Sequence, residues 1–181
     1  MNNHLMLDLE TFGTSRDAAI VSIGAVWFDP FGEGVGQQLD AKIDFASRNI
    51  GRPDVATVVW WLQQNQEVQT ALLSGFRVHL DKALHSFCER VELEGQVEGF
   101  WSNGPMFDEA LLRSAFERCE IAWPKLISFR ASRDFRTIVQ VGQMFGIQRT
   151  PSDQIKHDAL ADAIDQASYV QKVFRRLHAL R

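Results

Sequence analysis

Cysteine is scarce in this 181-residue chain: Cys88 and Cys119 stand alone, with no C-x-x-C pair between them. The thiols therefore read as reduced, as in a cytoplasmic protein, and the pattern disfavours a cysteine zinc site. Long apolar runs are missing too. No stretch approaches the ~20 residues of a membrane-spanning helix. The N-terminus has no basic region followed by a long apolar segment, so neither a membrane partner nor an export signal is expected. Positive charge is not in excess, the formal net charge being −4. That excludes a protein that coats nucleic acid through bulk positive potential. It leaves room for an enzyme that holds a strand end through metal ions and a few local contacts. Repeats, low-complexity tracts and linkers are absent as well.

What remains has the composition of an ordinary globular domain, 45% hydrophobic and 23% charged. A chain of this length buries roughly 70% of its unfolded surface, and residues 1–181 read as a single domain. His4–Leu9 and Ala19–Phe28 are almost continuously apolar, the pattern of central strands. Leu39, Ala41, Ile43 and Phe45 alternate with polar residues, as in a half-exposed strand. The turn-rich segment Asp29-Pro30-Phe31-Gly32 makes the second and third strands an antiparallel pair. Helices are expected over Thr57–Gln64, Gln66–Leu73, Val78–Val91, Pro105–Cys119 and Phe135–Phe145. Short strands are expected at Gly99–Ser102 and Ser128–Ala131. A final helix from about Asp158 to His178 shows one stripe through Leu160, Ile164, Ala167, Val170, Phe174 and Leu177. Three strands first, then alternating strands and helices, predict an α/β fold with a mixed sheet covered by helices.

The chemistry lies in acids at element ends. Asp8 and Glu10 flank Leu9, and strand alternation puts both carboxylates on one side. Two acids held close repel and resist burial, which a cation relieves; the plainer reading is a strand end reaching water. Asp108 follows the turn Asn103-Gly104-Pro105 in the first turn of a helix, where any acid suits the dipole. Asp134 and Asp158 both read as N-caps. His157 and Asp162 are five apart and converge only if His157 sits in the turn before the helix and Asp162 in its first turns. Otherwise they are surface groups. Carboxylates from three segments suit two hard cations, and a histidine beside them is a candidate for moving a water's proton.

Taken together, these segments resemble the DEDDh 3′–5′ exonucleases, whose motifs are Asp-x-Glu, a mid-chain Asp and His-x-x-x-x-Asp. Six segments are similar to the phage exonuclease A-like branch. They are Asp8-Leu9-Glu10-Thr11-Phe12-Gly13-Thr14, Ile23-Gly24-Ala25-Val26, Thr57-Val58-Val59-Trp60-Trp61-Leu62, Trp101-Ser102-Asn103-Gly104-Pro105-x-Phe107-Asp108, Arg133-Asp134-Phe135-Arg136-Thr137 and His157-Asp158-Ala159-Leu160. That branch is similar to small bacterial ribonucleases preferring adenosine-containing RNA. The resemblance implies a ribonuclease H-like fold and two divalent cations, Mg²⁺ or Mn²⁺. It also implies release of nucleoside 5′-monophosphates from single-stranded DNA or RNA 3′ ends, and a homodimer. Asp8, Glu10 and Asp162 would hold the first metal, with Asp8 bridging to the second. Asp108 would act mainly through water and His157 as general base. Relatives often carry Asn after the motif histidine; Asp158 departs from that.

Substrate contacts are drawn from neighbours of the acids. Thr11 is placed to meet a terminal 3′-OH and Phe12 to stack the last base, with a loop anchor as the alternative for Phe12. Trp60 and Trp61 diverge by about 100° on a helix, so one packs inward while the other faces the cleft, unless both are buried. Trp61 and Phe107 complete the expected substrate set. Lys172, Arg175, Arg176 and Arg181 read as a solvated helix end, with phosphate contact as the minor alternative. The competing function is a catalytically weak or inactive binder of nucleic-acid 3′ ends on the same fold. A structural domain with incidental acids leaves the Asp8/Glu10 pair unexplained.

Overall fold

The computed structural model describes residues 2–149 and 157–180, and within them a six-stranded mixed sheet carries helices on both faces. The strands are β1 (His4–Thr11), β2 (Ile20–Phe28), β3 (Gln38–Ile43), β4 (Arg77–Val78), β5 (Gly99–Ser102) and β6 (Ser132–Asp134). They lie in the order β4-β3-β2-β1-β5-β6. β2 is antiparallel to both β1 and β3, and every other pairing is parallel. The helices are α1 (Val55–Leu62), α2 (Gln66–Leu73), α3 (Leu80–Glu94), α4 (Asp108–Arg118), α5 (Phe135–Met144) and α6 (Ala159–His178).

Alternation along β1 splits the core. Leu5, Leu7 and Leu9 pack with Leu84 and Phe87 of α3 and Leu112 and Phe116 of α4. Met6 faces the other way, with Phe135 of α5 and Ala163, Ala167 and Val170 of α6. Asp8 and Glu10 continue the Met6 side of the strand. The apolar pattern of β1 therefore delivers two acids to the face that α6 covers.

Three sequence expectations change in detail. The segment expected as a strand at Ser128–Ala131 is a 3-10 turn, Phe129–Ala131, because the Ser128 hydroxyl accepts from the Arg130 amide and bends the backbone locally. The strand comes next, as Ser132–Asp134 paired with Phe100, Trp101 and Ser102. β4 has only two residues, too few for periodicity to reveal. Helix α4 begins at Asp108, since Pro105–Phe107 form a turn closed by the Phe107 amide on the Gly104 carbonyl, 2.8 Å. Asp134 and Asp158 are the N-caps of α5 and α6, bonding the Arg136 and Ala161 amides respectively. Among the described residues, no helix is long and apolar enough to cross a membrane.

Candidate active site

The site forms where β1 ends beneath the start of α6. What lets the helix come down is Gly24 of β2, which stands opposite Asp8 in the antiparallel register. A Cβ on Gly24 would fall 2.1 Å from the Ala159 carbonyl carbon and 2.2 Å from its oxygen. Only a residue without a side chain allows that approach. The first turn of α6 thus lies on the sheet, and Asp162 projects toward the acids of β1. Carboxylate oxygens of Asp8, Glu10 and Asp162 lie within 4.8 Å of one another. Gln166, one helical turn beyond Asp162 and buried, donates through Nε2 to Asp8 Oδ1 at 2.8 Å.

Asp108 is only 4% exposed. It enters from the N-terminus of α4, outside that trio but near enough for its charge to act on Asp8. The Leu9 amide and its own amide hydrogen-bond its carboxylate. His157 occupies the turn before α6 in the left-handed region, with φ 65°, an uncommon backbone for a non-glycine residue. Its backbone amide bonds the Asp162 carboxylate. The two residues thus meet in the way their five-residue spacing requires. The imidazole stands edge-on to two indoles, 5.0 Å from Trp60 and 5.8 Å from Trp61.

The electrostatics are those of crowded acids. Burial is the main cause at each carboxyl, and neighbouring negative charge adds to it at Asp8 and Glu10. Asp8 is pushed well above the ordinary range, Glu10 to about 9, and Asp108 to about 7. Asp162 is raised as well, against the opposing pull of His157. Oxygen-only donors, closely spaced, partly desolvated and mutually repelling, match what a hard divalent cation requires.

A cavity of about 460 Å³ adjoins Glu10 and is lined by Thr11, Thr57, Trp60, Trp61 and Phe107 among others. That volume is within the usual range for small-molecule sites. The two tryptophans diverge as helical geometry demands. Trp61 is 3% exposed and its Nε1 donates to the Thr11 carbonyl at 2.9 Å, tying α1 to the end of β1. Trp60 is 41% exposed and offers the accessible indole. The Thr11 hydroxyl donates to the Gly13 carbonyl at 2.7 Å, leaving its oxygen as an acceptor. Phe12 turns instead onto Phe45, 5.4 Å between ring centres, and is not among the lining residues. At the far end of α6, Lys172 bonds the Gln148 carbonyl and Arg175 bonds Gly32 and Glu33, so these two cations anchor local structure. Arg181 lies outside the described residues.

Three contributors received no role from the sequence. Gly24 carried a signal, a glycine inside an otherwise apolar strand. Gln166 carried one too, a polar residue four after Asp162 and so on the same helix face. Thr57 opens one of the six motif segments, but its place in the cavity depends on how α1 docks.

Over residues 3–174 the sequence matches the family model described as the 3′-5′ exoribonuclease Rv2179c-like domain. The chain belongs to this family. It is accordingly a 3′–5′ exonuclease by family. No curated protein sequence matches it. Among solved structures, the nuclease domain of 3′hExo, a DEDDh family member bound to rAMP, superposes with a TM-score of 0.63 at 9% identity. That match covers 95% of this chain and 91% of the other. Exonuclease I from Methylocaldum szegediense gives 0.66 at 15% identity, over 97% of this chain and 42% of that one. E. coli exonuclease I in complex with a dA16 oligonucleotide gives 0.63 at 16%, over 97% and 43%. The chain thus spans less than half of the exonuclease I proteins, and the likeness is one of fold: the ribonuclease H-like sheet of DEDDh exonucleases.

Proposed function

We propose that this exonuclease removes nucleoside 5′-monophosphates one at a time from the 3′ end of single-stranded nucleic acid, with RNA as the substrate its family name favours. The observation that carries this reading is adjacency. Glu10, one of a trio of mutually repelling carboxylates, lines a cavity of about 460 Å³, so the acids and the space for a strand end meet at one residue.

Asp8, Glu10 and Asp162 would hold divalent cations, two in number and Mg²⁺ or Mn²⁺ in kind, with Asp108 supporting the second. Such a pair, when bound, neutralises the phosphodiester, lowers the pKa of an attacking water and stabilises the departing 3′-oxygen. The chain's own groups do the rest. Gln166 fixes the Asp8 carboxylate, so its free oxygen keeps one orientation. His157, steered by the two indoles and by the Asp162 bond, removes the proton from water. Trp60 and Phe107 flank the terminal base, and Thr11 accepts from the terminal 3′-OH.

The test is a matched pair of single strands, RNA and DNA, labelled at the 5′ end and incubated with Mn²⁺. Stepwise shortening with release of 5′-mononucleotides, abolished by chelator, is expected. Rapid cutting of a circular single strand, or full activity in excess EDTA, would overturn the reading. A 3′-phosphate should slow the reaction, because it places extra charge beside Glu10.

A further inference from the structure

The cavity that would receive the strand end has an electrostatic deficit. Two acids line it, Glu10 and Asp54, and its lining has neither lysine nor arginine. Single-stranded nucleic acid brings a negative charge with every linkage. Several other arginines are already committed. Arg133 donates to the carbonyls of Arg130, Ser132 and Glu98, Arg149 to Asp165, and Arg118 to the carbonyls of Asn49 and Ile50.

Arg136 differs. Among the described residues, its one side-chain bond is from Nε to Asn103 Oδ1, at 3.3 Å, and both terminal nitrogens are left unengaged. The guanidinium lies against the Asn103-Gly104 turn. Gly104 has φ +111°, and a Cβ there would sit only 3.1 Å from the Arg136 Cζ and 3.2 Å from one terminal nitrogen. The same turn leads through Pro105 to Phe107, which lines the cavity, and to Asp108, on which the Arg136 charge acts. Of the charges acting most strongly on Asp8, Glu10, Asp108 and Asp162, Arg136 is the single arginine or lysine among the described residues. Its place in the helix is costly on local grounds. Arg136 sits in the first turn of α5, where a cation opposes the dipole rather than complementing it.

We infer that Arg136 is a substrate-binding residue whose terminal nitrogens take a backbone phosphate of the single strand as it approaches the carboxylate cluster. The planar fork, braced by Nε on Asn103 and stacked over Gly104, presents two donors to non-bridging phosphate oxygens. Because phosphate is common to both polymers, the contact serves RNA and DNA alike. This assignment rests on the exonuclease reading and adds the group that recruits the strand.

The test compares wild type with Arg136→Gln and Arg136→Lys in steady-state degradation of a 5′-labelled single strand across a salt series. Arg136→Gln should raise KM about tenfold, with kcat changed by less than about threefold. The slope of log KM against log salt should become shallower by about 0.7, the value of one phosphate contact on a single strand. Arg136→Lys should recover most of the slope but not all of the affinity, since a point charge replaces a fork. On the substrate side, one neutral methylphosphonate linkage should penalise wild type at a single position and leave Arg136→Gln indifferent there. A wild-type KM and salt slope in Arg136→Gln, or an equal methylphosphonate penalty at every position in both proteins, would overturn the assignment. If wild type leaves every strand intact, the exonuclease reading fails instead. The same contrast in slope is then read from anisotropy of the labelled strand, where an unchanged slope still overturns the Arg136 contact.

Discussion

His157 and Asp162 share one segment and yet have separable jobs. His157→Ala should keep Mn²⁺ binding, since the trio of carboxylates is untouched, while losing about 10²–10⁴-fold in turnover. Asp162→Ala should instead weaken Mn²⁺ occupancy, as measured by calorimetry. Near-wild-type turnover of His157→Ala at saturating metal would reduce the imidazole to a packing group for Trp60 and Trp61. His4 provides a second single-residue test, one of stability. Its ring lies among Phe28, Trp101 and Phe174, and its Nδ1 accepts from Trp101 Nε1 at 2.9 Å, which requires a neutral ring. Burial, aided by Arg133, lowers its pKa from 6.5 to about 4. The unfolded chain therefore binds the proton more readily than the folded one. The stabilisation is complete above pH 6.5 and is lost as pH falls through 4. Against His4→Gln, urea denaturation should show a wild-type advantage shrinking by on the order of 2 kcal/mol over that window, after allowance for solvent screening. A constant difference would mean that His4 does not change protonation on folding.

Gly24 is where the meeting of strand and helix can be tested. Gly24→Ala would push a methyl group into the backbone of Ala159, which cannot rotate away as a side chain would. The start of α6 must lift, and Asp162 with it. We expect a loss of about 1–3 kcal/mol in stability by chemical denaturation, together with a weaker Mn²⁺ isotherm. Wild-type metal affinity in this variant would show that α6 is positioned by something other than its contact with β2. The legibility of the elements follows the same logic. β1 and β2 were readable as near-continuous apolar runs and α6 as one apolar stripe over twenty residues, so local pattern and burial coincide. β4 and the 3-10 turn were not, because two or three residues cannot display a period and are fixed by their neighbours. In the site, the acids could be read as types at suggestive spacings. That Asp8, Glu10 and Asp162 meet depends on a backbone approach over Gly24, which no single segment encodes. Arg136 stood in plain view within its motif, but that its terminal nitrogens have no partner among the described residues is a property of the turn it rests on.

For the molecule as a whole, the acid cluster sets a pH dependence of opposite sign to that of His4. Glu10, raised from 4.5 to about 9, and Asp108, raised from 3.8 to about 7, hold protons more tightly in the folded state. Their contribution is fully present below the ordinary carboxylate range and is lost as pH rises through 7 and then 9. Metal-free protein should therefore lose thermal stability between about pH 5 and pH 9, and Asp8→Asn should flatten that decline while keeping an oxygen for Gln166. Saturating Mn²⁺ should reverse the loss. At about one hundred times Kd, a ligand specific to the folded state adds about 2.7 kcal/mol, or roughly 5–10 °C in melting temperature for a chain of this size. A metal-free melting curve independent of pH would refute the coupling. The consequence reaches past catalysis. If the trio Asp8, Glu10 and Asp162 holds a cation as proposed, relief of their repulsion would make that cation part of the folded architecture, and removing divalent metal would do more than idle the enzyme. The unfolded fraction would then rise and more of the chain would be open to proteolysis, so its lifetime would follow the metal supply.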